Sequence, residues 1–358
     1  MSTFLEQYAS TLEEFSLVSR DAGARRDFVQ GGGGNTSVKL DERLMAVKAS
    51  GFCLGDVMPD RAYAVMDYAA IRAFYRGHNA VDFEDSEKAG SELAKASTIA
   101  VEGIAPLRPS VEAGFHSLLG KFVIHSHSVY TNFACCAVEM HKILADVLKH
   151  ADFSWGVVPY IDPGAQLSFA IRDEFDRVER ATGKVPTVLF MQNHGLIVHE
   201  ETADNCLALH CAVNARFADY FGVAADAFQT MDLSAYIASR LQARKYEGSF
   251  FIETPLYPDQ MVFFIGTLGF GAAEPQSGEV LLDLSNGAIR SAAGEAQTRV
   301  VTETIAAVLF IQEQIEKKGY TLSTMGEKAK HFIANWESEK YRKSLLGAKH
   351  EDTQPAGV

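Results

Sequence analysis

Two histidines follow an apolar, β-prone segment at residues 122–124, and their spacing is suited to binding a metal ion. His125 and His127 lie two positions apart. Successive side chains of an extended strand point to opposite faces, so these two imidazoles point to the same side. Zinc accepts nitrogen ligands readily, which makes it the first metal to consider. A single His-x-His pair also occurs at ordinary polar strand ends, so the prediction depends on further ligands.

Two other segments offer such groups. Glu112 lies in the stretch Pro-Ser-Val-Glu at 109–112, which is typical of a helix start with Ser110 as N-cap and a carboxylate in the first turn. An ordinary first-turn charge is the alternative role for this glutamate. His194 stands between two predicted apolar strands, beside the turn residue Gly195. A histidine in that place is well positioned to be a third ligand.

These pieces, in this order, resemble the zinc-dependent class II aldolase and adducin family. The motifs are Pro-Ser-x-Glu at 109–112, His-x-His-Ser at 125–128 and His-Gly-Leu-Ile at 194–197. An earlier stretch, Gly-Asn-Thr-Ser at 34–37, is similar to the Gly-Asn-x-Ser element of that family. The resemblance covers roughly residues 8–225, and its four ordered motifs make it specific.

The resemblance implies a site. It implies that His125, His127 and His194 bind one divalent metal, zinc or alternatively Mn²⁺, Fe²⁺ or Co²⁺, and that Glu112 is the catalytic acid/base. It also implies a group of residues around the phosphate end of the substrate. These are Gly33, Gly34, Asn35, Ser50, Gly51 and Ser110.

One position departs from the family pattern. Aldolases that act on phosphorylated ketoses have two hydroxyl residues directly before the glutamate, whereas this chain has Ser110 and Val111. One phosphate donor is therefore missing. Either Arg108 or Lys48 replaces it, or the substrate is unphosphorylated or an acid.

The activity implied by the resemblance is that of a lyase. A metal-dependent aldolase would cleave or form a carbon–carbon bond in a ketose or ketose phosphate through a zinc-stabilised enediolate. Three alternatives stay open. The first is a sugar-phosphate epimerase or dehydratase on the same scaffold. The second is a non-haem iron enzyme with a two-His-one-carboxylate site. The third is a non-catalytic binding module of the adducin type.

Several polar residues have no assigned role at this stage. In the family a tyrosine commonly protonates the aldehyde oxygen, and Tyr160, Tyr246 and Tyr257 are the candidates here. His199 and His210 are candidate spare ligands, although a structural role with satisfied hydrogen bonds is the stronger expectation for both.

Composition limits the partners. The chain has 358 residues, 47% of them hydrophobic, and a formal net charge of -13 with no basic block. Such a surface repels nucleic acid and anionic membranes, which leaves a small sugar or sugar-phosphate substrate as the expected partner. The N-terminal residues show no secretory signal, and the five cysteines form no Cys-x-x-Cys pair. These features predict a cytoplasmic protein, and the resemblance implies a homotetramer.

The expected fold is α/β, a three-layer α/β/α sandwich with a mostly antiparallel central sheet, followed by a small α+β C-terminal extension. The predicted parts are a catalytic domain at 1–245, the extension at 246–345 and a disordered tail at 346–358. Hydrophobic periodicity predicts helices at 3–24 and 60–77.

Short strands are predicted at 261–265, 280–284 and 288–290 within the extension. Two helices should follow, at 295–317 and 325–344.

Overall fold

The computed structural model describes residues 3–326. A large mixed sheet lies at its centre, in the order β4-β3-β2-β1-β5-β8-β7-β6. Its strands are β1 (Asn35–Lys39), β2 (Leu44–Lys48), β3 (Tyr63–Asp67), β4 (Thr98–Ile99), β5 (Phe122–Ser126), β6 (Trp155–Val158), β7 (Val188–Met191) and β8 (Gly195–Glu200). Strands β6 and β7 pair in parallel, and the other neighbours pair antiparallel. The prediction of a mostly antiparallel sheet is confirmed.

Helices cover both faces of this sheet. They are α1 (Phe4–Gln7), α2 (Ala9–Gly23), α3 (Tyr68–Gly77), α4 (Ser86–Ala96), α5 (Ala113–Leu118), α6 (Val129–Cys135), α7 (Met140–Val147), α8 (Ala165–Thr182), α9 (Ala203–Phe221), α10 (Ala227–Thr230) and α11 (Leu233–Ala243). Within residues 3–326, no helix is both long and apolar enough to cross a membrane.

The alternation of side chains along the strands explains the three layers. In β5, Phe122 and Ile124 point into one hydrophobic cluster, whereas Val123 points into another on the opposite face. Helices α2, α6 and α9 pack on the first face, and α3, α5 and α8 pack on the second. The predicted α/β/α sandwich is therefore confirmed.

The C-terminal extension is α+β, as expected. It contains α12 (Gly248–Ile252), α13 (Pro258–Phe264), α14 (Glu295–Lys317) and a three-stranded sheet of β9 (Leu268–Phe270), β10 (Val280–Leu282) and β11 (Ile289–Ser291). Helix α14 packs against α6, α11 and α13. Phe310 of α14 meets Phe133 of α6 with 5.5 Å between ring centroids. The core of the extension is thus continuous with that of the preceding part.

Some predicted elements are confirmed and others are wrong. Helix α14 and strands β10 and β11 lie where the sequence predicts them. The helix expected at 60–77 starts only at Tyr68, because Tyr63–Asp67 pairs with β2 and the Asp67 side chain accepts a hydrogen bond from the amide of Ala70. The helix expected at 3–24 is divided at Tyr8 into α1 and α2.

The strand expected at 261–265 is wrong, because Pro258–Phe264 forms helix α13. All seven residues of α13 are buried. A helix buried on every side has no polar face, so its sequence lacks the 3.6-residue period that identifies surface helices. The predicted helix at 325–344 and tail at 346–358 fall largely or wholly outside the described residues.

Candidate metal centre

Three buried histidines meet at one end of the central sheet. The ring centroids of His125, His127 and His194 are separated by 4.9, 5.1 and 5.1 Å. Each imidazole offers one nitrogen to a common point, and these three nitrogens lie within 4.8 Å of one another. The structure therefore brings together the three residues predicted as ligands.

The antiparallel pairing of β5 and β8 explains why residues so far apart in sequence meet. His125 lies near the end of β5, opposite Ile197, whereas His194 directly precedes β8. The end of one antiparallel strand lies beside the start of the next. The turn before β8 holds Asn193 at a φ of 49°, a left-handed conformation that asparagine adopts more readily than most residues. The side-chain Nδ2 of Asn193 donates to the carbonyl of Leu256, at 2.9 Å, which connects this turn to the extension.

The hydrogen bonds of His125 and His127 determine which ring nitrogen of each could bind a metal. Nδ1 of His125 donates to the carbonyl oxygen of Leu196, at 2.9 Å, because a carbonyl can only accept. Nδ1 of His127 lies 2.6 Å from Oδ2 of Asp259. The Nε2 atoms of both histidines face each other at 3.2 Å. Both rings thus present Nε2 to the common point.

The electrostatic state of the cluster suits a metal ion. Burial lowers the pKa of His125 to about 3 and also lowers the pKa of His194. The two imidazoles are therefore neutral at ordinary pH, with lone pairs available. Three converging imidazole nitrogens fit a divalent transition metal and leave coordination positions open for oxygen ligands.

Glu112 supplies a carboxylate beside this cluster. Its Oε1 lies 3.6 Å from Nε2 of His125 and 3.4 Å from Nε2 of His194, and the residue is 7% exposed. Burial acts to raise the pKa of this carboxyl. The electrostatic interaction with His125, followed by the hydrogen bond with His194, outweighs burial and holds the pKa well below its ordinary value. Glu112 is therefore an ionised acceptor.

The predicted helix start at Glu112 is partly wrong. Helix α5 begins at Ala113, so Glu112 is the N-cap residue instead of a first-turn residue, and its side chain makes no capping bond. Ser110 is not the N-cap, but its Oγ accepts a hydrogen bond from the Glu112 amide at 3.3 Å. The carboxylate is turned toward the histidines, which removes it from the ordinary first-turn role.

A chain of polar side chains holds Glu112 from behind, and the sequence analysis missed one of its members. Nδ2 of Asn35 donates to Oε2 of Glu112, which can only accept. Oδ1 of Asn35 accepts from Nε2 of His116, and Nδ1 of His116 lies 2.8 Å from Oγ of Ser37. Burial, followed by the charge of Lys39, lowers the pKa of His116 well below its ordinary value. A neutral ring with one donor and one acceptor matches these two contacts.

The six residues predicted around an anion are distributed on two sides of Glu112. Asn35 contacts Ser110, with 3.3 Å between Nδ2 and Oγ. The Ser50 backbone amide donates to the carbonyl of Arg108 at 3.0 Å, which places the Ser50-Gly51 turn beside the Ser110 segment. Gly51 has a φ of 85°.

The other two predicted glycines, Gly33 and Gly34, lie against the histidine cluster. A Cβ at Gly34 would be 2.5 Å from the carbonyl oxygen of His125. A Cβ at Gly33 would be 2.2 Å from Oδ2 of Asp259. Only glycine allows the backbone to pass so close to both groups.

A cavity of about 950 Å³ adjoins the Ser110 segment on the second face of the sheet. Arg108, Ser110 and Val111 contribute to its wall, together with Tyr75 and Gly114. The cavity is large enough for a small substrate beyond the carboxylate. The apolar side chain of Val111 lines the wall where the family pattern has a hydroxyl.

The two candidate spare ligands are not part of the histidine cluster. His199 and His210 lie outside the cluster: Nε2 of His199 donates to the carbonyl of Pro186 at 2.9 Å, and Nε2 of His210 lies 2.7 Å from Oγ of Ser126. Both side chains have hydrogen-bond partners there, as expected for structural histidines.

The three candidate tyrosines also differ in position. Tyr257 lies next to the cluster, with its ring centroid 6.1 Å from that of His127. The hydroxyls of Tyr160 and Tyr246 donate instead to Asp162 and Gln312, each at 3.0 Å.

Comparison with known proteins gives a family match for most of the described chain. Residues 13–220 match the family model described as Class II Aldolase and Adducin N-terminal domain. The chain is 29% identical over 209 residues to a Bacillus subtilis protein named uncharacterized oxidoreductase YuxG. That alignment covers 56% of this chain but only 28% of the B. subtilis protein, so the chain spans well under half the length of this relative.

Two solved structures give similar matches. The N-terminal class II aldolase domain of a Thermoplasma acidophilum protein is 25% identical, with a TM-score of 0.48 over 58% of this chain and 92% of that one. A sugar-phosphate aldolase from Thermotoga maritima is 14% identical, with a TM-score of 0.42 over 60% of this chain and 97% of that one. Because the family model covers more than half of the 358 residues, the chain belongs to the class II aldolase and adducin family.

Proposed function

We propose that this chain is a metal-dependent aldolase that cleaves or forms a carbon–carbon bond in a ketose or ketose phosphate. The observation that supports this most directly is the position of Glu112. Its ionised carboxylate lies 3.4 to 3.6 Å from two histidines of a buried three-histidine cluster. A general acid/base adjacent to a Lewis-acidic metal is one arrangement that promotes aldol cleavage of a carbon–carbon bond near a carbonyl.

Each side chain has a defined task in this proposal. His125, His127 and His194 would hold the divalent metal, zinc being the first candidate. When bound, the metal supplies Lewis-acid polarisation of the substrate's carbonyl and hydroxyl oxygens. Glu112 would move the proton at the adjacent carbon through Oε1, the oxygen that faces the histidines. Asn35 would keep the carboxylate oriented by donating to Oε2.

The substrate's anionic end would lie among Gly33, Gly34, Asn35, Ser50, Gly51 and Ser110. The contacts of Asn35 with Ser110 and of Ser50 with Arg108 support a compact group there. Val111 in the wall of the adjoining cavity reduces the number of hydroxyl donors. A ketose with a weakly bound or absent phosphate therefore fits this wall better than one that needs two hydroxyl contacts.

The test combines metal analysis with a substrate screen. Purified protein should contain one divalent metal per chain, and it should release an aldehyde from at least one ketose phosphate or free ketose. Glu112→Gln is the matched negative control for the screen. A metal-loaded protein that converts such substrates into isomers or dehydrated products would contradict the aldolase and favour an epimerase or dehydratase. Stoichiometric iron with oxygen-dependent turnover would favour the non-haem iron alternative.

The active sites of this family are expected at contacts between four identical subunits, and we propose the same assembly here. Light scattering of the purified protein measures its mass directly. A mass four times the 39.1 kDa of one chain is the expected result, and a monomer would contradict the proposal.

A further inference from the structure

The C-terminal extension places a carboxylate against one of the three clustered histidines. Oδ2 of Asp259, in α13, lies 2.6 Å from Nδ1 of His127. Asp259 is 0% exposed and His127 is 4% exposed, so water does not screen this contact. The family match ends at residue 220, well before this aspartate.

The carboxylate determines which nitrogen of His127 faces the cluster. An ionised carboxylate only accepts hydrogen bonds, so Nδ1 of His127 carries the proton and Nε2 carries the lone pair. Nε2 lies 3.2 Å from Nε2 of His125. The backbone carbonyl of Leu196 performs the same task for His125. The two ligands are thus oriented by different acceptors, one neutral and one charged.

The charged acceptor has a further effect. A carboxylate bound to Nδ1 makes the opposite nitrogen more basic, and this strengthens its bond to a metal ion. Asp259 also adds a negative charge to a buried site that would receive a dication. Both effects raise the affinity of the site for metal.

The surrounding contacts fix Asp259 in place. A Cβ at Gly33 would lie 2.2 Å from Oδ2 of Asp259, so the absence of a side chain at residue 33 makes room for the carboxylate. Tyr257 donates to Oε1 of Gln30 at 3.0 Å, and the Leu256 amide donates to Oε1 of Gln260 at 2.9 Å. The start of helix α13 is therefore bonded to Gln30, directly before the glycine run at 31–34, and to its own flanking segment.

We infer that Asp259 is a positioning residue of the metal centre, and that through it the C-terminal extension forms part of the site. This inference rests on the metal site of the proposed function. It assigns Asp259 no contact with substrate. Its role is to hold His127 in the tautomer and orientation that present Nε2 to the metal.

The test compares Asp259→Ala and Asp259→Asn with the wild type. Chelator competition should show metal affinity about 10–100-fold weaker for Asp259→Ala, the usual effect of losing such a partner. Asp259→Asn keeps the volume and an acceptor oxygen but removes the charge, so its affinity should be intermediate. Glu274→Gln, which removes an exposed carboxylate of the same extension, is the matched control and should bind as the wild type does.

A spectroscopic measurement separates positioning from general destabilisation. The visible absorption bands of the Co²⁺-loaded protein should change in Asp259→Asn and stay unchanged in Glu274→Gln. The nitrogen chemical shifts of His127 should report a protonated Nδ1 in the wild type. Thermal unfolding of each variant shows whether it is folded, and Asp259→Asn provides the result if Asp259→Ala does not fold.

The outcomes are distinguishable. If the wild type binds metal and both Asp259 variants bind it equally well with unchanged Co²⁺ spectra, the inference is overturned while the metal site stands. If the wild type itself binds no metal at the histidines, the proposed function and this inference fail together. Weakened binding with altered spectra in the Asp259 variants alone supports the inference.

Discussion

Residues 13–220, which match the family model, and the extension from residue 246 contribute to the candidate metal centre in different ways. The first supplies the three histidines and Glu112, which are the groups that would touch metal and substrate. The second supplies Asp259 and Tyr257, which contact or adjoin His127 from outside the cluster. The candidate metal and substrate groups thus lie in the part of the chain that matches the family, whereas a segment outside that match contacts one of them.

Removing a ligand should have the largest effect. His127→Ala deletes one of three converging nitrogens, so the purified protein should lose stoichiometric metal and its activity should fall to background. Metal analysis after dialysis measures this directly. His199→Gln is the matched control, because His199 is buried but bonded to Gly120 and Pro186 outside the cluster. Full metal occupancy with unchanged affinity in His127→Ala would refute the ligand assignment.

Replacing the acid/base should have the next largest effect. Glu112→Gln keeps the size of the side chain but cannot accept a proton, so kcat should fall by roughly 10²–10⁴-fold, the usual contribution of general acid–base catalysis. Metal content should remain close to that of the wild type. Steady-state kinetics on the metal-loaded variant decide the matter. Turnover near the wild-type rate would show that the carboxylate has only a structural role.

The difference between the two regions also explains what the sequence reveals. His125 and His127 are predicted as ligands from the two-residue period of a strand, and His194 is predicted from a turn glycine between strands. These signals are local, so they can be recognised without knowledge of the fold. His116 had such a signal too, because it lies one helical turn after Glu112, but its contact with Asn35 depends on the pairing of β1 with β5.

Asp259 offers no comparable signal. It lies 132 positions from His127, and no spacing rule connects them. Helix α13 is buried on all sides, so its sequence resembles an apolar strand. Hydrophobic periodicity therefore does not reveal which of its residues face the histidines. The contact arises only when α13 packs against the loop at Gly33. Long-range packing of this kind is determined by the whole core, which a single sequence does not display.

The contact between Gly33 and Asp259 can be disturbed by a substitution in the region that matches the family. Gly33→Ala would place a methyl group 2.2 Å from Oδ2 of Asp259, so the Asp259 side chain, the loop or α13 must shift. Overpacking of this kind costs about 1–3 kcal/mol, and metal affinity should fall as Asp259 moves from His127. Gly55→Ala is the control, because a Cβ there meets no atom within 4 Å. Chemical denaturation and chelator competition measure the two effects. Equal stability and affinity for both variants would show that the loop and the extension are not tightly coupled.

The smallest effect is expected from the tyrosine beside the cluster. The Tyr257 hydroxyl donates to Oε1 of Gln30, whose amide nitrogen in turn donates to the carbonyl of Arg26 at 2.6 Å. The hydroxyl proton of Tyr257 is therefore already used in a hydrogen bond to Gln30. We expect a structural role for Tyr257 instead of proton donation to an aldehyde oxygen. Tyr257→Phe keeps the buried ring and loses one hydrogen bond, which should cost about 0.5–1.5 kcal/mol of the free energy of unfolding. Metal affinity should be unchanged, and kcat should stay within about 10-fold of the wild type, well short of the roughly 10²-fold loss expected for a general acid. A larger fall in kcat in a stable, metal-loaded Tyr257→Phe protein would contradict this and place a reacting group in the extension.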